Sequence, residues 1–404
     1  MHEHAPRVSV IVPTYNRAAF LAECLESLLG QTLPPWQVIV VNDGATDQTD
    51  EVVAPFRERI TYLRTSGQLG KPGAANLGLA HVTGDYVWLF DDDDVALPEA
   101  LARFTAALEA DPGAGFAFSA WWYARSRPDG RIGDIISPSY RPRLESEGQL
   151  IPLFDRNYIG GAALFARTRS YHEVGVYDVS LIRSQDYEMS LRMARRFRGV
   201  EVPGGPTFLY RQHDGARGAS RDRFTVDLQS RKWLDYDQRI FRRLLRELSL
   251  EELLPPGTPP ETGRRQAQLQ RFSVAASKLM VDESVQELRL LARIGGTEPL
   301  TPAERRITRA TATRDPWYGY RSVYDHDRIA RALHDLAGSS PVIRELRREV
   351  VKGLVQAVYW PDARTMRERL RVSASRLQRL LSPRRTDRTV PLTPIPGRSA
   401  LPRA

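Results

Sequence analysis

The chain of 404 residues contains a single cysteine, Cys24. That excludes a disulfide framework and any zinc site built from cysteines. No stretch approaches the ~18 apolar residues of a membrane-spanning helix. The opening MHEHAPRVSV lacks the apolar core of a secretion signal. These absences predict a soluble, cytoplasmic protein. No internal repeat is found. Hydrophobic residues make up 42% and charged residues 26%, which excludes wholesale disorder. At roughly 100–200 residues per domain, the length predicts two or three domains.

The net charge of +9 is unevenly placed: −5 over residues 1–220 and +14 over residues 221–404. The densest charge cluster of the first half is a run of four aspartates, Asp91 to Asp94. Aspartates at the end of an apolar strand call for a cation and not a phosphate backbone. No nucleic-acid partner is therefore expected.

Strand and helix patterns alternate over the first 110 residues. Val8 to Val12, Val38 to Val41, Ile60 to Leu63 and Tyr86 to Phe90 read as short buried strands. Ala18 to Leu29, Gly73 to Ala80 and Glu99 to Ala110 read as helices, the last opened by Pro98. Such alternation implies a mainly parallel sheet with right-handed crossovers. Ligands of such sheets bind beyond the carboxyl ends of the strands. Thr14-Tyr15, Asp43 and the aspartate run all fall there. Residues 115–220 read as mixed, with strand-like pieces over Gly115 to Tyr123, Gly161 to Phe165 and Thr207 to Arg211 and one clear helix over Asp186 to Arg196. From about residue 223 the pattern turns helical, with a break at Pro255 to Pro260.

Four adjacent carboxylates repel one another, more so when buried. Magnesium or manganese, with their preference for oxygen ligands, relieves that repulsion. Taken alone, the run reads equally as an acidic surface loop. Tyr15 and Asp43, a flat aromatic and an acceptor carboxylate at neighbouring strand ends, suit a base with N–H donors such as uracil. Each taken alone is an ordinary turn residue.

The segments Pro13-Thr14-Tyr15-Asn16-Arg17, Asn42-Asp43-Gly44-Ala45-Thr46-Asp47, Gly73 to Gly78 (GAANLG) and Asp91 to Asp94 occur in one order. Together they resemble the family 2 glycosyltransferases of the GT-A fold, over roughly residues 7–220. The resemblance implies a Rossmann-like, mainly parallel α/β sheet flanked by helices over residues 1–222. A mostly helical domain over 223–381 and a disordered tail over 382–404 follow it.

By the same resemblance, Pro13, Thr14, Tyr15 and Arg17 line the nucleotide-sugar pocket, and Asp43 hydrogen-bonds the base. Asp92 and Asp93 match the pair near the ribose and the metal, with Asp93 the direct metal ligand. Asp91 joins the metal site if the pattern is read as Asp91-x-Asp93. Ala75 stands where the family usually has arginine, so Lys71 is the expected cation near the diphosphate, beside Asn76. Gly161, after Gly160, shapes the sugar pocket. Ser184-Gln185-Asp186-Tyr187-Glu188 resembles the family's base motif and makes Asp186 the general base, with Gln185 where glutamate is usual. Asp186 at a helix N-terminus is expected to have a lowered pKa. His213, in Tyr210-Arg211-Gln212-His213, is a secondary candidate for the diphosphate or metal.

The resulting expectation is an inverting, metal-dependent transferase that moves one sugar from a nucleotide sugar, UDP-linked by preference, to an acceptor hydroxyl. The acceptor is expected to be a glycan, a lipid-linked glycan or a small molecule; a natural product or peptide is the alternative. The Q-x-x-R-W motif of processive synthases is missing. A sugar-nucleotide nucleotidyltransferase would need a glycine-rich loop after the first strand, which PTYNR does not supply. A non-catalytic membrane- or nucleic-acid-binding protein leaves the aspartates unexplained. Residues 363–381 place Met366, Leu370, Leu377 and Leu381 at helical spacing among arginines. That segment is expected to dock on the catalytic domain, with peripheral contact at the inner face of a membrane as the alternative.

Overall fold

A computed structural model describes residues 5–142, 144–212, 226–313, 326–357 and 366–381. The chain divides into two compact units. One comprises the chain to Leu144 together with Pro152–Val226, the other Glu145–Ile151 with the chain from Asp227.

The first unit is built on β1 (Val8–Thr14), β2 (Gln37–Asn42), β3 (Thr61–Arg64), β4 (Tyr86–Leu89), β5 (Val95–Ala96), β6 (Phe116–Phe118), β7 (Trp122–Ser126), β8 (Ile132–Pro138), β9 (Leu164–Arg167), β10 (Gly199–Glu201) and β11 (Phe208–Gln212). The main sheet has the order β10-β6-β9-β4-β1-β2-β3. β1 runs parallel to both β2 and β4, and β2 to β3. β9 runs antiparallel to β4 and β6. This is the mixed, mainly parallel sheet expected from the strand–helix alternation. Every residue of β1 is buried. A central parallel strand covered by helices on both faces must be apolar throughout, so VSVIV shows no polar alternation.

The order of connection reverses at β1: the chain adds β2 and β3 on one side, then β4 on the other. The crevice above such a reversal is where doubly wound sheets bind ligands. The helices Ala18–Leu29, Lys71–Leu79 and Ala100–Glu109 lie between successive strands. An aromatic cluster fills the core, with Trp88 against Phe90 and Phe104 against Phe165 at ring-centre distances of 4.6 and 5.0 Å.

Of a second sheet, β5-β11-β7-β8, the sequence pattern shows β11 and the start of β7 but neither β5 nor β8. β5 is two residues long and follows the aspartate run directly, pairing antiparallel with β11 through Leu209↔Val95. The run is thus strung between β4 of one sheet and β5 of the other, which fixes both of its ends.

The second unit is helical. Leu269, Phe272, Leu288, Leu291, Leu333 and Leu346 are among its buried core residues. Its helix Met366–Leu381 packs on the helices Asp327–Ser339 and Pro341–Ala357 of the same unit. Leu380 is buried, Arg379 pairs with Asp327 at 2.8 Å, and Leu381 is exposed. Leu377 of the expected stripe packs against the unit's core, Leu380 takes the buried place expected of Leu381, and the covering surface is the unit's own helices. No described helix is long and apolar enough to cross a membrane. His213 and the tail from residue 382 lie outside the described residues.

Candidate active site

Three strand ends converge on the crevice. Thr14 closes β1, Asp43 follows β2, and Asp91 follows the apolar strand β4 and Phe90. Asp43 donates its backbone N–H to the Thr14 carbonyl at 2.9 Å, which couples the first two ends. The loops beyond them are cross-tied: Asn16 Oδ1 accepts from Thr46 N at 2.8 Å, and Asp47 Oδ2 from Ala18 N at 3.0 Å. The Asp43 carboxylate accepts from Leu69 N at 2.7 Å and Gly70 N at 2.8 Å. Burial raises its pKa, and these two N–H donors work against the rise. Oδ1 also accepts from Thr65 Oγ1 at 3.4 Å, and Oδ2 keeps a second lone pair for a ligand donor. Tyr15 is half-buried at the mouth, whereas Pro13 is buried within β1 opposite Val41 and offers no surface to a ligand.

The aspartates grade from half-buried to fully buried. Asp91 and Asp93 are partly exposed, Asp92 is 9% exposed and Asp94 1%. Two cations face the outer pair: Lys71 Nζ lies 2.5 Å from Asp91 Oδ1, and Arg17 pairs with Asp93. Burial pushes the Asp92 carboxyl up to about 7, with Arg17 pulling it down and Asp93 adding to the rise. Burial, then the charges of Asp93 and Asp91, lifts Asp94 well above the carboxylate range. Asp91, Asp93 and Asp94 each present a carboxylate oxygen, all within 4.8 Å of one another. Hard oxygen donors that repel one another in a partly dry crevice fit a small divalent cation.

Asp186 arrives from far along the chain. It stands in the first turn of the helix Gln185–Arg196. Its Oδ2 accepts a hydrogen bond from Asn157 Nδ2 at 3.1 Å. Burial raises its pKa, Lys71 opposes the rise and Asp91 reinforces it. The expected lowering by the helix N-terminus is thus overridden by desolvation. The Asp91 and Asp186 charges in turn raise the pKa of Lys71, against the lowering by burial. Gly160 and Gly161 lie between the two carboxylates. A Cβ on Gly160 would come 2.8 Å from Asp186 Oδ2, and one on Gly161 3.5 Å from Asp91 Oδ2. Gly161 also has φ of +56°, a region that side chains disfavour.

Of the residues expected in the site, Arg17, Lys71, Asp91, Asp92, Asp93, Gly161 and Asp186 are brought together. Asn76 is not among them. Its amide donates to the Tyr177 carbonyl and accepts from the Tyr177 N–H, both at 2.8 Å, so its polar atoms are spent on placing that loop. Arg192 does similar work, forking onto Glu188 and donating to the carbonyls of Val174 and Val176. Gln185 is buried at the helix start.

Two participants were not singled out from sequence. Asp94 completes the carboxylate group. Arg211 is a fully buried arginine beneath it. Its Nε donates to the Asp93 carbonyl at 2.7 Å and its backbone N–H to Asp94 Oδ1 at 2.9 Å. The guanidinium also reaches Glu23, Ser126 and the Gly130 carbonyl, and stacks over Phe20. Alternation along β11 would have exposed the arginine-before-glutamine signal only with the second sheet in hand.

Residues 9–174 match the family model described as glycosyl transferase family 2. An uncharacterized glycosyltransferase of Rickettsia felis is 27% identical over 195 residues, covering 48% of this chain and 32% of that protein. The uncharacterized glycosyltransferase EpsJ of Bacillus subtilis is 37% identical over 106 residues, 26% of this chain and 31% of that protein. The chain spans about a third of the length of the Rickettsia felis and Bacillus subtilis relatives it matches. A crystal structure of S. aureus TarS 1–349 in complex with UDP-GlcNAc is 16% identical, with 87% of this chain and 91% of that chain covered at a TM-score of 0.48. The likeness to glycosyl transferase family 2 extends over residues 9–174. Asp186 and Arg211 lie beyond the matched segment.

Proposed function

We propose that this chain is a family 2 glycosyltransferase and moves one sugar from a nucleoside diphosphate sugar to an acceptor hydroxyl, with inversion and with a divalent cation. The carrying observation is the approach of Asp186 to Asp91 across Gly160 and Gly161, with Lys71 charged between them. A base that faces a carboxylate group fitted for a cation is the arrangement that displacement of a diphosphate requires.

A cation held by Asp91, Asp93 and Asp94 would supply neutralisation of the charge that develops on the departing diphosphate. Lys71 adds a fixed positive charge on the same side, and Arg17 another. The Asp186 carboxylate takes the proton of the acceptor hydroxyl. That oxygen then bonds to the anomeric carbon as the bond to the diphosphate oxygen breaks, through an oxocarbenium-like state. Attack from the face opposite the nucleotide inverts the anomeric centre. Tyr15 and Asp43, at the ends of β1 and β2, are the groups proposed to hold the base, with uracil the preferred reading. The missing Q-x-x-R-W motif supports a single transfer per encounter. We assign no acceptor beyond a hydroxyl-bearing glycan, lipid-linked glycan or small molecule.

Asp186→Asn keeps the shape and the Asn157 contact but removes the basic oxygen. It is expected to lower turnover by about 10²–10⁴-fold, the usual range for general-base catalysis, with nucleotide binding unchanged. Near-normal turnover of the variant would remove Asp186 from this role.

A further inference from the structure

The segment 153–160 is pinned to the helix that carries Asp186. Tyr187 Oη donates to the Leu153 carbonyl at 2.5 Å, and Ser190 Oγ to the Ile159 carbonyl at 3.2 Å. Between these two ties stands Asn157, whose Nδ2 donates to Asp186 Oδ2 at 3.1 Å. The contact fixes the amide's orientation, because an Oδ1 facing the carboxylate would repel it. Asn157 Oδ1 is thereby turned away from Asp186, and it is buried without a hydrogen-bond partner. An unpaired buried acceptor costs free energy and calls for a donor that the folded chain does not supply.

Gly160 completes the arrangement. A Cβ there would lie 2.6 Å from Asn157 Nδ2 and 2.8 Å from Asp186 Oδ2, inside the contact distance of both. The glycine is what allows amide and carboxylate to meet. The three residues form one device, assembled from a loop and a helix start.

We propose that Asn157 is a positioning residue for Asp186. By donating to Oδ2 it holds the carboxylate in one orientation for the acceptor hydroxyl. The inference rests on the reading of Asp186 as the base. Losing one hydrogen bond to a charged group predicts about a tenfold or greater fall in kcat. Binding of the nucleotide, which involves neither atom, should not change.

The test compares Asn157→Ala, Gly160→Ala and Asp186→Asn with the parent chain, measuring kcat, the KM for acceptor, UDP and Mn²⁺ binding by calorimetry, and melting temperature. Gly160→Ala removes neither group but pushes the pair apart. The expected result is a tenfold or larger fall in kcat for Asn157→Ala and Gly160→Ala, with the acceptor KM little changed. UDP and Mn²⁺ binding should be kept in both. Parent-like kcat in both, beside an inactive Asp186→Asn, would overturn the inference and leave the base in place. An active Asp186→Asn would overturn the base itself. A variant with an altered melting temperature is judged by its retained UDP and Mn²⁺ binding, and loss of that binding together with turnover counts against a positioning role.

Discussion

Asp92 shows how burial and repulsion set the chemistry of a single residue. Burial pushes its carboxyl from 3.8 up to about 7, so the metal-free site holds a proton near neutral pH. The folded state then binds more protons than the unfolded chain between those two values. Stability of the metal-free protein should fall as pH rises through that window. A divalent cation displaces the proton and removes the penalty. Thermal melts from pH 5 to 8 should show Mn²⁺ stabilisation growing with pH, and Mn²⁺ titrations should release protons. Mn²⁺ stabilisation independent of pH would contradict this. Asp186 runs the same way: burial raises its pKa, so the acid limb of turnover should lie at a higher pH than an exposed aspartate would give. Sequence could not give that sign. It placed Asp186 at a helix N-terminus, whose field acts only within a turn, but not the desolvation that outweighs it.

At the scale of elements, the parallel half of the sheet was legible because each strand is a short apolar run bounded by turn residues. β5, with two residues, and β10, with three, are too short to carry any period. β8 was missed because its exposed positions, Asp134, Ile135 and Pro138, follow no regular alternation of polar and apolar residues. Without that second sheet, Arg211 is merely an arginine in a motif. With it, Arg211 is the clamp that holds the backbone carbonyl of Asp93 and the carboxylate of Asp94. Arg211→Met removes the donor to the Asp93 carbonyl and the buried partner of Glu23, which keeps only the exposed Arg131 and the Ile132 N–H. Breaking such a buried pair typically costs about 3–5 kcal/mol. Chemical denaturation should show a loss of that size, and Mn²⁺ affinity should weaken as well. Glu23→Gln, which leaves the bond from Arg211 to the Asp93 carbonyl in place, should cost less on both counts. Equal Mn²⁺ affinity in all three proteins would contradict the clamp.

Across the whole molecule the net charge of +9 separates into two regimes. The acidic first half gathers its carboxylates where a cation fits. Several basic residues of the second half are paired inside its own helical unit, one carboxylate to each, which leaves the excess itself unchanged. Arg265 forks onto Glu304, Arg271 onto Glu287, and Lys278 reaches Asp237. Those partners lie one or more helices apart in sequence, so composition alone read them as a basic surface. The sequence predicted that the half was helical, because apolar spacing survives; it could not say which arginines are buried against glutamates.

The central claim is that the carboxylate group and the strand ends beside it bind a nucleoside diphosphate through a divalent cation. Differential scanning fluorimetry with UDP, GDP and dTDP, each with and without Mn²⁺, measures this directly. One nucleotide should raise the melting temperature in the presence of Mn²⁺ and do so much less without it, with UDP the expected responder. Failure of all of them to stabilise the protein, with or without the metal, would contradict the claim.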